Sequence, residues 1–436
     1  MRLTAEIRCV ASCLLICLTA GPVTNGLAAD QTVAVGVAKI DITPQEPIRL
    51  AGYAKRRGVN WKVEKPLQAR ALALGDGPDT ALIVTVELVG ITAKISDELA
   101  SALARSHGLP RDRIAVCAIH THSGPVIEGL LDGSRKGASD AEWKAIVRYA
   151  TWLQGRLQEV AEAALRDRKP AHLSWAEGYA GFAVNRRELE HGKWKGFGMV
   201  PNGPADRSLP VMVAVGDDGG KRAVFTSYAC HCTTNGGDMI VHSDWAGEAA
   251  SQIEAAFPGA IALVALGCAG DARPYPGGST AEAKARGREI AAEVGHLANS
   301  DMRPLTGVTA ATYRVISLPL DAPDKRGVIE EVPLPVQTWR FGDDLSMIFL
   351  GGEMVADYSL RLKRELDAGR VWINAYSNAV PCYVASRRLY SEGGYEVDGN
   401  MPKYGWPCRL AIGTEDRVVS EVLSQVDRSF HSKARR

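Results

Sequence analysis

A chain of 436 residues, 46% hydrophobic and 23% charged, has the composition of a folded globular protein with room for one large or two ordinary domains. Lysine and arginine number 51 against 50 acidic residues, a net charge of +1. That balance builds no field for nucleic acid or for an anionic membrane surface, so a small molecule is the expected partner.

The chain opens on Arg2 and Arg8, then an apolar run from Cys9 to Ala20, then the small residues Ala28 and Ala29 before Asp30. The run is too short to span a bilayer and reads as a signal peptide over residues 1–29. The mature chain, 30–436, is therefore expected to be exported to the periplasm or secreted, with no transmembrane segment. Three of the nine cysteines lie in the leader. The other six include no C-x-x-C pair and read as core residues rather than zinc ligands.

The first expected strand covers residues 33–43 and stops at Pro44. Residues 68–74 and 80–89 read as paired strands around the turn Gly75-Asp76-Gly77-Pro78-Asp79, with Glu87 inside the second. A helix over 94–107 leads to the apolar run Ile114 to Ile119, which reads as a buried strand ending in His120-Thr121-His122-Ser123-Gly124-Pro125. Strand alternation would send both imidazoles to one side of the sheet. A helix over 140–168 carries Trp143, Ile146, Leu153, Leu157 and Val160 at helical spacing. Residues 172–183 read as a strand leading into Asn185-Arg186-Arg187, and 189–206 as a surface loop. Strands over 211–215 and 223–232 follow, the second carrying His231. His242-Ser243-Asp244 opens a helix. Residues 260–266 form a strand ending at Gly267-Cys268-Ala269-Gly270-Asp271. The strand 346–350 breaks at Gly351-Gly352-Glu353 into a helix over 354–366, and 371–374 is the last clear strand, ahead of Pro381-Cys382-Tyr383. The expected architecture is α/β: a single large domain of mixed β-sheets flanked by helices.

His120 and His122, His231, Asp271 and Glu353 each follow the carboxyl end of an apolar run. Ligands of open α/β sheets bind outside those strand ends, so the active site is expected there. Histidines with a carboxylate are the ligand types of a catalytic zinc, which activates water and polarises a carbonyl or phosphoryl oxygen. There is no H-E-x-x-H, no G-x-S-x-G and no P-loop. Read from the residues alone, the chain is an exported metal-dependent hydrolase.

The segments Val35-Gly36-Val37-Ala38-Lys39-Ile40-Asp41-Ile42-Thr43-Pro44, Ala51-Gly52-Tyr53-Ala54 and Gln68-Ala69-Arg70-Ala71, with the His120-Thr121-His122-Ser123-Gly124-Pro125 motif, resemble the catalytic domain of the neutral (non-lysosomal) ceramidases. The resemblance runs in order through Tyr395. It implies a zinc ion held by His120, His231, Glu353 and Tyr383, with His122 free to move protons. It further implies that Arg186 lies near the scissile carbonyl, that Tyr395 helps hold the oxyanion, and that Asp271 belongs to the catalytic group. The implied reaction, one of sphingolipid metabolism, is cleavage of an amide, an N-acyl sphingosine or another N-acyl or amide substrate, by a zinc-activated water. Where that family reads G-D-V-S-P, this chain reads Gly270-Asp271-Ala272-Arg273-Pro274, so Arg273 is expected to touch the substrate and to favour an acidic or phosphate-bearing one. The family's C-terminal immunoglobulin-like domain is expected to be absent. A metal-dependent esterase or phosphoesterase, or a non-catalytic binding protein, would fit the same scaffold.

Overall fold

Apolar side chains alternate along the strands and make the central sheet apolar on both faces. In Ala81–Val86, Leu82, Val84 and Val86 enter one hydrophobic cluster, and Ala81 and Ile83 enter a second. Lys221–Tyr228 divides the same way, with Val224 and Tyr228 on one side and Ala223 and Phe225 on the other. The computed structural model describes residues 32–53, 56, 58–59, 62–131, 135, 137–323 and 327–433. The expected signal peptide lies outside the described residues.

Across the sheet the strands run Ile261–Leu266, Lys221–Tyr228, Ser208–Gly216, Lys169–Tyr179, Val33–Asp41, Gln68–Leu74, Ala81–Val86 and Ile114–Ala118. The pair at each end is parallel and the pairs between are antiparallel. Helices Ala93–His107, Asp140–Arg166, Asp244–Ala256 and Thr280–Leu297 contribute to the first cluster. Against the other face packs a four-stranded sheet of Ala310–Pro319, Glu331–Phe341, Leu345–Leu350 and Val371–Asn374. Trp372 of that sheet stacks on Phe225 of the large one at 4.8 Å. Truncating either fully buried ring to alanine would cost about 3–5 kcal/mol. The architecture is mixed α/β, several sheets flanked by helices.

The long helix follows its sequence signals. Ser139 accepts from the Glu142 amide at 3.3 Å while the Glu142 carboxylate accepts from the Ser139 amide at 2.7 Å, a reciprocal cap. Ile146, Leu153, Leu157 and Val160 form its buried stripe. The five cysteines Cys117, Cys230, Cys232, Cys268 and Cys382 are buried thiols.

The segment expected to be a surface loop over 189–206 instead supplies a hairpin strand. Ala183–Glu190 and Lys193–Val200 pair antiparallel through a two-residue turn, with His191 at φ 52° and Gly192 at φ 75°. Two successive positive φ values make the turn whose twist matches paired strands. Its His-Gly sequence is less recognisable than Asn-Gly, and the glycines at 196 and 198 disguised the alternation.

One short segment brings the ends of the large sheet together. The Ala375 amide donates to Leu266 O (2.8 Å), the Ala118 amide to Tyr376 O (3.1 Å), and the Asn378 amide to Val116 O (2.6 Å). Residues 375–378 thus tie the end of Ile261–Leu266 to the outer edge of Ile114–Ala118. The histidine-bearing turns follow strands from opposite halves of the sheet, and this join sets them beside each other.

Candidate active site

The strand that leads to the histidine pair ends at Ala118, earlier than expected, and His120 takes the left-handed conformation at φ 57°. Strand alternation therefore does not align the two rings. A local turn makes them converge, and three hydrogen bonds hold it. Thr121 Oγ1 donates to His242 O (2.7 Å), the His122 amide to Cys232 O (3.1 Å), and the Ser123 amide to Thr121 Oγ1 (3.2 Å). His120 and His122 come to face one another with their Nε2 atoms 3.1 Å apart. His231 is likewise past its strand, which ends at Tyr228, and its amide donates to Ala272 O (3.2 Å).

Glu353 follows Gly352, which sits at φ 75°, where a Cβ would lie 2.9 Å from Val384 Cγ2 and 3.0 Å from Cys382 O. Only glycine fits that position without displacing its neighbours. The break allows Glu353–Met354 to pair parallel with Tyr383–Val384, setting Glu353 and Tyr383 side by side.

At the centre, Glu353 Oε2 lies 3.0 Å from His120 Nε2 and 3.3 Å from His231 Nε2. The Tyr383 hydroxyl is 3.1 Å from His231 Nε2. His120 Nδ1 faces Val89 O, and His231 Nδ1 faces Ala269 O at 2.8 Å. A ring nitrogen facing a carbonyl carries a proton, which turns the Nε2 atoms of both rings toward the carboxylate. His122 has no such anchor, and its Nδ1 is buried without a partner. Among the described residues, His120, His122 and His231 offer ring nitrogens all within 4.8 Å of one another. The remaining wall of the cluster is Arg186, whose Nη1 lies 3.0 Å from His231 Nε2, whose Nη2 donates to Tyr383 (3.1 Å), and whose Nε donates to Glu396 (2.8 Å).

Burial opposes ionisation of Glu353, but His120 and then His231 outweigh it and hold the carboxyl well below its usual range. Burial, then the Arg186 charge, pushes His231 down to about 3. Burial, then His120, pushes His122 well below its ordinary value. His231 and His122 are thus held neutral beside the Glu353 carboxylate. Ring nitrogens and a carboxylate oxygen turned on one point could hold a small metal cation.

The structure brings together seven of the nine residues singled out from sequence: His120, His122, His231, Glu353, Tyr383, Arg186 and Tyr395. The Tyr395 ring packs edge-on to Tyr383 at 5.4 Å and lies beneath the Arg186 guanidinium at 5.8 Å. Asp271 is elsewhere. Its oxygens accept from Asn185 Nδ2 (2.8 Å) and the Ala356 amide (2.8 Å), and its carbonyl accepts from the Arg186 amide (2.8 Å). It positions the Arg186 backbone and the start of the helix Ala356–Glu365, and burial raises it to about 6. Arg273 is partly buried and lies outside the cavity lining, with its charge felt by Tyr53. Glu87 touches no histidine: its oxygens are taken by Arg70 and the Gln68 amide.

Sequence reasoning missed Tyr376 and Tyr404, both of which donate to Glu353, the first at 3.4 Å. They come from irregular segments with no periodic signal. Glu396, which holds Arg186 and Arg187, adjoins Tyr395 in sequence and was the most recoverable omission.

The cluster opens on a cavity of about 260 Å³ whose lining includes Tyr53, His120, His122, Glu353, Tyr383 and Tyr395. No protein-family model and no curated protein matches the sequence. Solved structures do. A neutral ceramidase from Pseudomonas aeruginosa superposes with a TM-score of 0.71 at 18% identity, over 90% of this chain and 74% of its own. A ceramidase complexed with C2 gives a TM-score of 0.69 at 16% identity over the same shares. The polypeptide folds as the neutral ceramidases do.

Proposed function

We propose that this protein is a zinc-dependent amidohydrolase that cleaves an N-acyl compound into a carboxylic acid and an amine. The observation that carries this reading is the unequal anchoring of the three histidines. A metal-ligating histidine characteristically donates its second ring N–H to a carbonyl or carboxylate. His120 and His231 do so through Val89 and Ala269, whereas His122 does not. His120, His231, Glu353 and Tyr383 would hold the metal, leaving His122 to handle protons.

Zinc bound there would supply a Lewis acid that polarises the acyl carbonyl and lowers the pKa of water toward neutrality. His122, kept neutral by burial, accepts a proton from the attacking water and passes it to the departing nitrogen. The Tyr395 phenol, kept protonated by burial, donates to the oxygen that gains negative charge. Arg186 is held in place by Glu396 and adds positive charge on the same side. Export before action is part of the proposal and rests on residues 1–29. Among the described residues, no helix is long and apolar enough to cross a membrane.

The test is turnover of fluorescent short-chain N-acyl amides and N-acyl sphingosines by zinc-loaded protein. His122→Asn is expected to lower kcat by about 10²–10⁴-fold while zinc content stays the same. Stoichiometric zinc without cleavage of any N-acyl amide would overturn the assignment.

A further inference from the structure

The wall of the catalytic cavity is cationic. Among the described residues lining it, Arg49, Arg56 and Lys403 are basic, and Glu353 is the single carboxylate, already committed to His120 and His231. Two of the three cations are spent on the protein itself. Arg49 donates to Gly137 O (3.0 Å) and lies 3.6 Å from Glu142. Arg56 donates to the carbonyls of Ala51, His122, Gly237 and Asp238.

Lys403 is different. Its Nζ donates to the Tyr395 hydroxyl at 3.1 Å and lies 4.4 Å from that ring's centroid, and it forms no ion pair among the described residues. The side chain is half-buried, and loss of water pushes its ammonium below the ordinary value. A cation that has shed water without gaining a carboxylate is poorly compensated by the fold alone. The short turn Met401–Lys403 and the following Tyr404 deliver two contacts to one cavity: Tyr404 holds Glu353, and Lys403 presents its charge beside Tyr395. Arg273, the cation the sequence pointed to, is not part of this wall.

We propose that Lys403 recognises an anionic oxygen group on the substrate, so that the amide taken is one carrying a carboxylate, an N-acylated amino acid in preference to an uncharged N-acyl amino alcohol. This rests on the amidohydrolase reading for the chemistry but not for the binding. Cleavage needs only water: the C–N bond breaks, the acyl carbon gains hydroxyl, and the nitrogen gains the proton, yielding a fatty acid and an amino acid. A tethered carboxylate on an otherwise unpaired ammonium makes a charge-assisted hydrogen bond, which an alcohol at the same place does not.

Calorimetric binding of N-dodecanoyl-glycine, N-dodecanoyl-ethanolamine and the phosphate ester of the latter tests this on the full zinc-loaded chain. Wild type is expected to bind the glycine conjugate at least about tenfold more tightly than the ethanolamide, Lys403→Arg to keep that ratio, and Lys403→Met to abolish it. Lys403→Glu should reverse the preference. A phosphate ester that outcompetes the glycine conjugate would overturn the carboxylate assignment. A wild type that binds both amides alike, or neither, would overturn the inference, as would a Lys403→Met that weakens both equally, the signature of a lysine that merely steadies Tyr395. A glycine conjugate bound with Lys403-dependent preference yet never cleaved would sink the amidohydrolase reading and leave anion recognition standing.

Discussion

Zinc titration of single-residue variants tests directly whether His120, His231, Glu353 and Tyr383 hold the proposed metal while His122 does not. A cation that binds only the folded state adds RT ln(1 + [L]/Kd), about 4 kcal/mol at a free concentration of 1,000 Kd. Unfolding entropy of about 2.1 cal/mol/K per residue over a folded unit of about 400 residues converts that gain into a rise of about 5 °C in the thermal midpoint. Chelator-treated wild type should show this shift on adding zinc. Each variant is compared with its own chelated state, so intrinsic destabilisation cancels. His120→Ala and His231→Ala each remove an anchored Nε2 and should lose nearly all of the shift. Glu353→Gln keeps the volume and the Tyr404 contact while removing the charge between the two rings, and should lose most of it. His122→Ala should retain the shift, because its unanchored ring is not needed to hold the ion. If His122→Ala abolishes the zinc response while Glu353→Gln and Tyr383→Phe preserve it, the three-histidine set is the ligand set and the reasoning from Nδ1 partners is wrong.

Two further outcomes follow from the same geometry. His231 titrates near 3 in the fold against 6.5 for the free side chain, so the unfolded chain takes up the proton first. Its stabilising contribution is complete above pH 6.5 and declines as pH falls toward 3, by about 1.4 kcal/mol per pH unit. Urea unfolding of metal-free protein between about pH 6 and 4 should therefore give a shallower slope, by one proton, for His231→Gln than for wild type, and parallel slopes would refute it. Gly352→Ala forces a Cβ to 2.9 Å from Val384 Cγ2 at a left-handed φ. It should cost about 1–3 kcal/mol and weaken zinc binding by displacing Glu353; urea midpoints and chelator competition measure the two, and a variant matching wild type in both would exclude that strain.

The legible part of the site consisted of side chains that chemistry marks out. His120, His122, His231 and Glu353 were conspicuous because each followed an apolar run and broke it with a ligand-type residue, and the topology does carry all four to one place. The local reason was misread at His120, where a left-handed residue rather than strand alternation turns the ring inward. Nothing in a sequence displays the carbonyls of Val89 and Ala269, yet these backbone atoms separate His120 and His231 from His122. Tyr404 and Lys403 were opaque for a related reason: they lie in a turn held by the Tyr404 hydroxyl on Glu353 and, just beyond it, by Trp406 Nε1 on Pro381 O, with no period to betray it. Asp271 shows the opposite error, a carboxylate in the right stretch of chain that folding commits to Asn185 and a helix start.

The join at Ala375–Asn378 also bears on how the chain avoids sticking to itself. Ile114–Ala118 is the last strand of its sheet, apolar throughout, and its outer backbone groups would form an open template for another chain. Residues 375–378 occupy part of that edge, with Cys117 opposite Ser377 in an antiparallel bridge. The segment that covers it lies more than 250 residues later in the chain, so the edge stays bare until most of the polypeptide is available. A fragment ending before residue 371 would lack both the completed histidine cluster and the cover, and solubility and metal binding should fail together at that boundary.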